Sequence, residues 1–167
     1  ELARGAKNAL IIADDNTRLT PTDAIVPELL DTLNGAGLPD SEIAVLVALG
    51  THRPMTATEM EVKFGSEVIG RVPVINHDGF DPAALVDLGV TPGGVTVQVN
   101  RRVLEADLVI GVGSIVPHHI PGFSGGAKYF FPGISGPDVI NATHWLGALA
   151  TVVGTIGIKD TPVRAMV

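Results

Sequence analysis

Cysteine is absent, aromatic residues supply only 4% of the chain, and no run of about 18 uncharged apolar residues occurs. The first absence removes disulfides, thiolate metal sites and a cysteine nucleophile. Any metal would have to be held by histidine, by carboxylate or by a ligand from outside the polypeptide. The second points to a core built from aliphatic side chains, and the third excludes a membrane-spanning helix. Basic runs are missing too: Lys and Arg number 11 against 18 Asp and Glu, for a formal charge of −7. Nucleic acid and an anionic membrane surface both require a basic patch, so neither is expected as a partner. No signal peptide is visible, although the chain starts at Glu1 rather than Met, and a cytoplasmic location is the default expectation.

What is present is 46% hydrophobic residues, mostly Val, Ile, Leu and Ala, in 167 residues, enough for one domain with a sizeable core. Apolar runs at 8–13, 43–49 and 107–112 read as buried strands, and 72–75 reads as a further short strand. Between them lie helical patterns. Thr20 is expected to cap a helix with Pro21 at its first position, carrying Ile25, Leu29, Leu30 and Leu33 and stopping at Gly35 and Gly37. A capping box, Thr56 to Glu59, opens a second helix that Gly65 is expected to end. Residues 76–94 read as a loop with at most a helical turn, 95–99 as a half-exposed strand, and 100–106 as one helical turn. A last helix is expected over 137–150, and beyond Val152 the pattern fades. Alternating strands and helices imply an α/β fold, a doubly wound, Rossmann-like, mostly parallel sheet with helices on both faces. The final residues suggest an exit into a further domain, as in the N-terminal part of a two-domain protein.

Parallel strands place the loops after 8–13, 43–49 and 107–112 at one sheet edge, where α/β folds bind ligands. These loops hold Asp15, Asn16, Thr17 and Arg18; Thr51, His52 and Arg53; and His118, His119, Ser124 and Lys128. Taken singly, each has a plain reading. Asp15 suits an Asx turn with Arg18 as its ion-pair partner. His52 suits a turn before Arg-Pro, and His77 suits another. Only one of the adjacent His118 and His119 is expected to face a site. His144 suits a core helix face. Taken jointly they suit chemistry: two imidazoles that titrate near pH ~6.5 can serve as base and acid across one substrate carbon. Arg18 can grip a carboxylate in bidentate fashion. Ser124, Gly125 and Gly126 form a turn that lets backbone N–H groups approach a phosphate, and a desolvated Lys128 amine could hold a cofactor covalently.

Asp15-x-Thr17-Arg18, Gly50-Thr51-His52-Arg53-Pro54, the run from Pro117-His118 to Gly122-Phe123-Ser124-Gly125-Gly126-Ala127-Lys128, and Pro132-Gly133 occur in this order. From about Asn8 to Ala150 the chain resembles the N-terminal domain of the nickel-pincer lactate racemase family. The resemblance implies a racemase or epimerase of a small 2-hydroxy acid, lactate or a close analogue. It implies a pyridinium-3,5-bisthiocarboxylic acid mononucleotide that chelates nickel, tethered to Lys128 as a thioamide and held by Ser124, Gly125 and Gly126, with His144 completing the metal's coordination. His52 and His118 would be the acid/base pair, and Asp15 and Arg18 would position substrate. The implied partners are a C-terminal domain and the proteins that make the cofactor; the N-terminal domain alone is not expected to turn over. Two other classes stay in view: a non-catalytic domain gripping a nucleotide phosphate, and a hydrolase whose metal is held jointly by His52, His118 and His144.

Overall fold

The structure is a computed structural model and describes residues 1–150 and 154–166. Strands β1 (Ala9–Ala13), β2 (Ile43–Val47), β3 (Val74–Asn76) and β6 (Leu108–Val112) form a parallel sheet in the order β3-β2-β1-β6. The chain builds outward from β1 to β3 and then returns to the other side of β1 for β6. Between β1 and β6 the winding therefore reverses direction, and a crevice opens outside the carboxyl ends of those strands.

Alternation along β1 separates two cores. Ala9, Ile11 and Ala13 face helices α1 (Thr22–Gly35) and α2 (Ala57–Arg71), packing with Val26, Leu30, Leu33, Phe64 and Val68. Leu10 and Ile12 face the other way, toward Leu46, Tyr129 and Ile134. That second face is covered by short pieces: α3 (Arg102–Glu105), a 3₁₀ turn at Gly126–Tyr129, and the chain running on to Ile134. Every side chain of β1 is buried, which is why the strand reads as an unbroken apolar run.

Several local expectations need correction. Pro21, not Thr20, occupies the cap of α1, and no side chain caps that helix. The Thr20 hydroxyl is spent elsewhere, as described below. The capping box of α2 forms as expected, but Gly65 does not end the helix. Its φ of 81° kinks the backbone and helix resumes to Arg71, because Phe64 and Val68 on either side of the kink are both fully buried. The segment taken for a loop contains a strand, β4 (Leu85–Val90), paired antiparallel with β5 (Thr96–Asn100) apart from the main sheet. Most of β4 is exposed, so no apolar alternation marks it. His77 is no turn residue but lies buried between β3 and the 135 region, its Nε2–H donating to the Ser135 carbonyl at 3.0 Å and Nδ1 accepting from Asn100 at 3.1 Å. Helix α4 (Pro137–Leu149) follows, and a short α5 (Pro162–Met166) carries the buried Val163. No described helix is long and apolar enough to cross a membrane.

Candidate active site

The crevice at the β1/β6 edge is a cavity of about 300 Å³. Asp14, Asp15 and Arg18 line it from the loop after β1, Gly50 to His52 from the loop after β2, and His118, His119, Ser124, Gly125 and Lys128 from the segment after β6; His144 reaches it from α4. Of the nine sequence-derived site residues, only Gly126 lies outside the lining. It is exposed, with a φ of 54° that helps turn the chain into the 3₁₀ segment.

Asp15 forms the expected Asx turn and also backs an imidazole. Its Oδ1 accepts the Thr17 amide at 3.1 Å and the Thr17 hydroxyl at 2.6 Å, an Asx turn, while Oδ2 meets His52 Nδ1 at 2.5 Å. Burial pushes the Asp15 carboxyl upward, but the Thr17 and His52 hydrogen bonds and the His52 charge outweigh it, and the pKa falls below the ordinary value. A carboxylate can only accept, so His52 Nδ1 carries the proton and Nε2 the lone pair. Arg18 is not the ion-pair partner of Asp15. Its guanidinium bonds Thr17 Oγ1 at 2.9 Å and, among the described residues, makes no ion pair. Arg53, in the same motif as His52, turns outward to Glu59 and braces the start of α2.

After β6 the chain doubles back as a two-residue pairing of β7 (Pro117–His118) with β8 (Gly122–Phe123). The backbone N–H of Ile120 donates to His118 Nδ1 at 3.1 Å, so a neutral His118 carries its proton on Nε2. Its ring stacks on His119, with centroids 4.7 Å apart. Burial, then the charges of Lys128, His119, Arg18 and His144, push the His118 pKa down to about 3. Burial and the nearby Arg18 likewise lower Lys128 to about 8, against a smaller upward pull from Asp15. The Ser124 hydroxyl is committed within the fold, donating to the Ser114 carbonyl at 2.8 Å and accepting the Val116 amide at 3.1 Å. Gly125 has a φ of 73°, and a Cβ there would sit 3.0 Å from Ile115 and 3.1 Å from the Ser114 carbonyl. Both residues thus shape the bend that presents Lys128.

His144 donates from Nδ1 to the Ile140 carbonyl one turn back, at 2.7 Å. That bond leaves the Nε2 lone pair available, the arrangement usual for metal-ligating imidazoles. Among the described residues no three His, Asp or Glu side chains gather as a metal site. His52, His118 and His144 are thus not gathered around one point as joint ligands, whereas a metal that brings its other ligands and takes one imidazole fits.

Sequence reasoning missed the layer beneath. Asp14, Thr20, Lys63, Ser114 and Tyr129 form a buried or half-buried polar cluster at the cavity floor. The acidic pair after β1 was a visible signal for Asp14. Lys63 sits in an amphipathic helix where solvent was the natural assumption.

A model of the lactate racemase N-terminal domain matches residues 1–154. The lactate racemase of Lactiplantibacillus plantarum is 40% identical over 144 residues, covering 86% of this chain and 34% of that protein. That of Thermoanaerobacterium thermosaccharolyticum is 36% identical over the same length and shares. The chain thus spans about a third of the length of these curated relatives. The solved lactate racemase apoprotein from T. thermosaccharolyticum superposes with a TM-score of 0.87 at 32% identity, over 99% of this chain and 40% of that one. A crystal structure of a Thermotoga maritima protein gives 0.86 at 33% identity, over 96% of this chain and 41% of that one.

Proposed function

Because the chain belongs to the lactate racemase N-terminal domain family, we propose that it is the cofactor-bearing half of a racemase or epimerase for a small 2-hydroxy acid. One observation carries this reading: a single cavity collects a carboxylate-backed imidazole, a second imidazole, a guanidinium with no ion pair among the described residues, a half-buried amine and an imidazole with an unspent Nε2.

The residues fit a nickel-pincer nucleotide. Lys128, with a pKa of about 8, keeps roughly a tenth of its amine neutral at pH 7, and that neutral amine would hold the group by condensing with a thiocarboxylic acid, with loss of water, to a thioamide. His144 offers one nitrogen ligand, a donor that suits nickel. When bound, the group supplies a hydride acceptor beside a metal, so that the substrate's Cα can pass through a planar 2-keto acid.

The chain's own residues supply orientation and protons. Arg18 grips the substrate carboxylate in bidentate fashion. His52 takes the hydroxyl proton on Nε2, and the Asp15 anion stabilises the imidazolium that results. His118 serves the mirror-image substrate, whose hydroxyl faces the opposite wall. For His118 to accept a proton at Nε2, its ring proton must first move to Nδ1, breaking the Ile120 bond. Acylation of Lys128 removes the largest charge that opposes protonation of His118. Turnover requires a second domain to close the cavity, and loading requires the proteins that build the cofactor. The setting is cytoplasmic.

A non-catalytic phosphate-binding domain has less support, since the Ser124 hydroxyl is already committed within the fold. Intact-mass analysis after co-expression with cofactor-synthesis proteins decides the matter: an adduct on Lys128 is expected, and an unmodified Lys128 peptide counts against the proposal. In a polypeptide as long as the curated relatives, His52→Ala is expected to lower racemisation by about 10²–10⁴-fold.

A further inference from the structure

Lys63 is a cation with almost no contact with water, on a helix that contributes nothing to the proposed chemistry. Its side chain is 7% exposed. Its ammonium donates to the carbonyls of Arg18 at 2.8 Å and Thr20 at 3.0 Å, and pairs with Asp14 Oδ1 at 2.9 Å. Among the described residues no other donor reaches that carboxylate oxygen, so Lys63 alone compensates it. The other oxygen, Oδ2, accepts the Thr20 hydroxyl at 2.5 Å and the Tyr129 hydroxyl at 3.3 Å. Ser114, two residues past β6, in turn bonds Thr20 at 2.8 Å.

These contacts enclose the five-residue stretch from Asp14 to Arg18 at both ends. One end is held through the Asp14 side chain and the other through the Arg18 and Thr20 carbonyls. Asp15 lies between them, and its bond to His52 at 2.5 Å tolerates little displacement. The Tyr129 arm ties the same carboxylate to the residue after Lys128. Gly113 leaves the gap for that arm, since a Cβ there would fall on the Tyr129 hydroxyl.

We propose that Lys63, through its buried pair with Asp14, is a positioning residue that sets Asp15 against His52 and aligns the loop bearing Arg18 with the segment bearing Lys128. A buried ion pair is weak evidence for added stability but costs several kcal/mol to break from one side. A role in positioning, not stability alone, is what the three contacts with a single loop indicate. The inference deepens the function proposed above, because it concerns how that site is held.

The test reads the hydrogen bond itself in cofactor-free protein labelled with ¹⁵N at histidine. A short bond from Nδ1–H to a carboxylate gives a far-downfield proton resonance, expected in the wild type for His52. Lys63→Met is expected to lose that resonance while circular dichroism shows a folded chain, and Lys63→Arg to recover it in part. A folded Lys63→Met that keeps the resonance unchanged overturns the proposal, as does its absence from the wild type. Should Lys63→Met fail to fold, Asp14→Asn removes the charge that Lys63 pairs with and keeps the side chain's shape: a shifted or broadened His52 resonance supports the proposal and an unchanged one overturns it. No cofactor or substrate is involved. A cofactor-loaded polypeptide as long as the curated relatives that lacked racemase activity would therefore sink the proposed function and leave this result standing.

Discussion

An imidazole nitrogen facing a carbonyl or carboxylate must carry the proton, and one facing a backbone N–H must not. By this rule His52 and His144 hold their protons on Nδ1, and His118 holds its own on Nε2. Ring ¹⁵N shifts at neutral pH are expected to show these tautomers, and an Nδ1–H form for His118 would contradict the geometry. Lys128 illustrates a functional group held at a thermodynamic cost. Its pKa in the fold, about 8, lies below its ordinary 10.5, so the unfolded chain binds more protons between those values. Stability therefore rises with pH through that window, and the penalty is full below it. Lys128→Met is expected to stabilise the cofactor-free chain at pH 7 by about 1–2 kcal/mol, or roughly 2–6 °C in Tm, and to flatten the rise above pH 8. For His118 the same sign holds between about 3 and 6.5: stability falls as pH falls through that window, and His118→Gln is expected to reduce the slope in pH-dependent thermal melts.

Among the secondary-structure elements, the site depends on strand ends more than on helices. β6 ends at Val112, and a methyl group on the next residue, Gly113, would lie 2.9 Å from Asp14 Oδ2 as well as on the Tyr129 hydroxyl. Gly113→Ala is thus expected to cost about 2–4 kcal/mol in chemical denaturation, because Tyr129 must leave its place and Asp14 loses an arm. Its neighbour Gly111 has only ordinary contact with the Tyr129 ring, so Gly111→Ala is expected to cost less. The capping box of α2 supports the site indirectly, since Glu59 takes the Thr56 amide at 2.8 Å and also pairs with Arg53 beside His52. Thr56→Ala should cost about 1 kcal/mol, visible as a lower denaturation midpoint without loss of the cavity.

At the scale of the whole molecule, burial is concentrated in the main sheet and the candidate site lies at its strand ends. β1 is paired on both sides and fully buried, whereas the β4–β5 hairpin stands apart with most of β4 exposed. Native-state hydrogen exchange is expected to be slowest in β1 and β2 and much faster in β4; equal protection would show that the hairpin belongs to the main cooperative unit. The cavity lies at the reversal of winding between β1 and β6, so it rests against the fully buried β1 while its lining comes from the strand-end loops and α4.

The linear sequence determined the sheet strands, because residues buried on both faces must be apolar without interruption, as in 9–13 and 43–47. It also determined which residue types stood in the strand-end loops, and its motifs sufficed to identify the family. Only the tertiary structure decided the rest. That Gly65 bends a helix rather than ending it depends on the burial of Phe64 and Val68, which local propensity does not encode. That Ser124 shapes a bend, that Arg53 turns outward and that Lys63 turns inward to an acid 49 positions away all depend on partners supplied by distant segments. A side chain's pattern in sequence reports the surface it needs, but the direction of its polar atoms is fixed by whichever donors and acceptors the fold brings within about 3 Å.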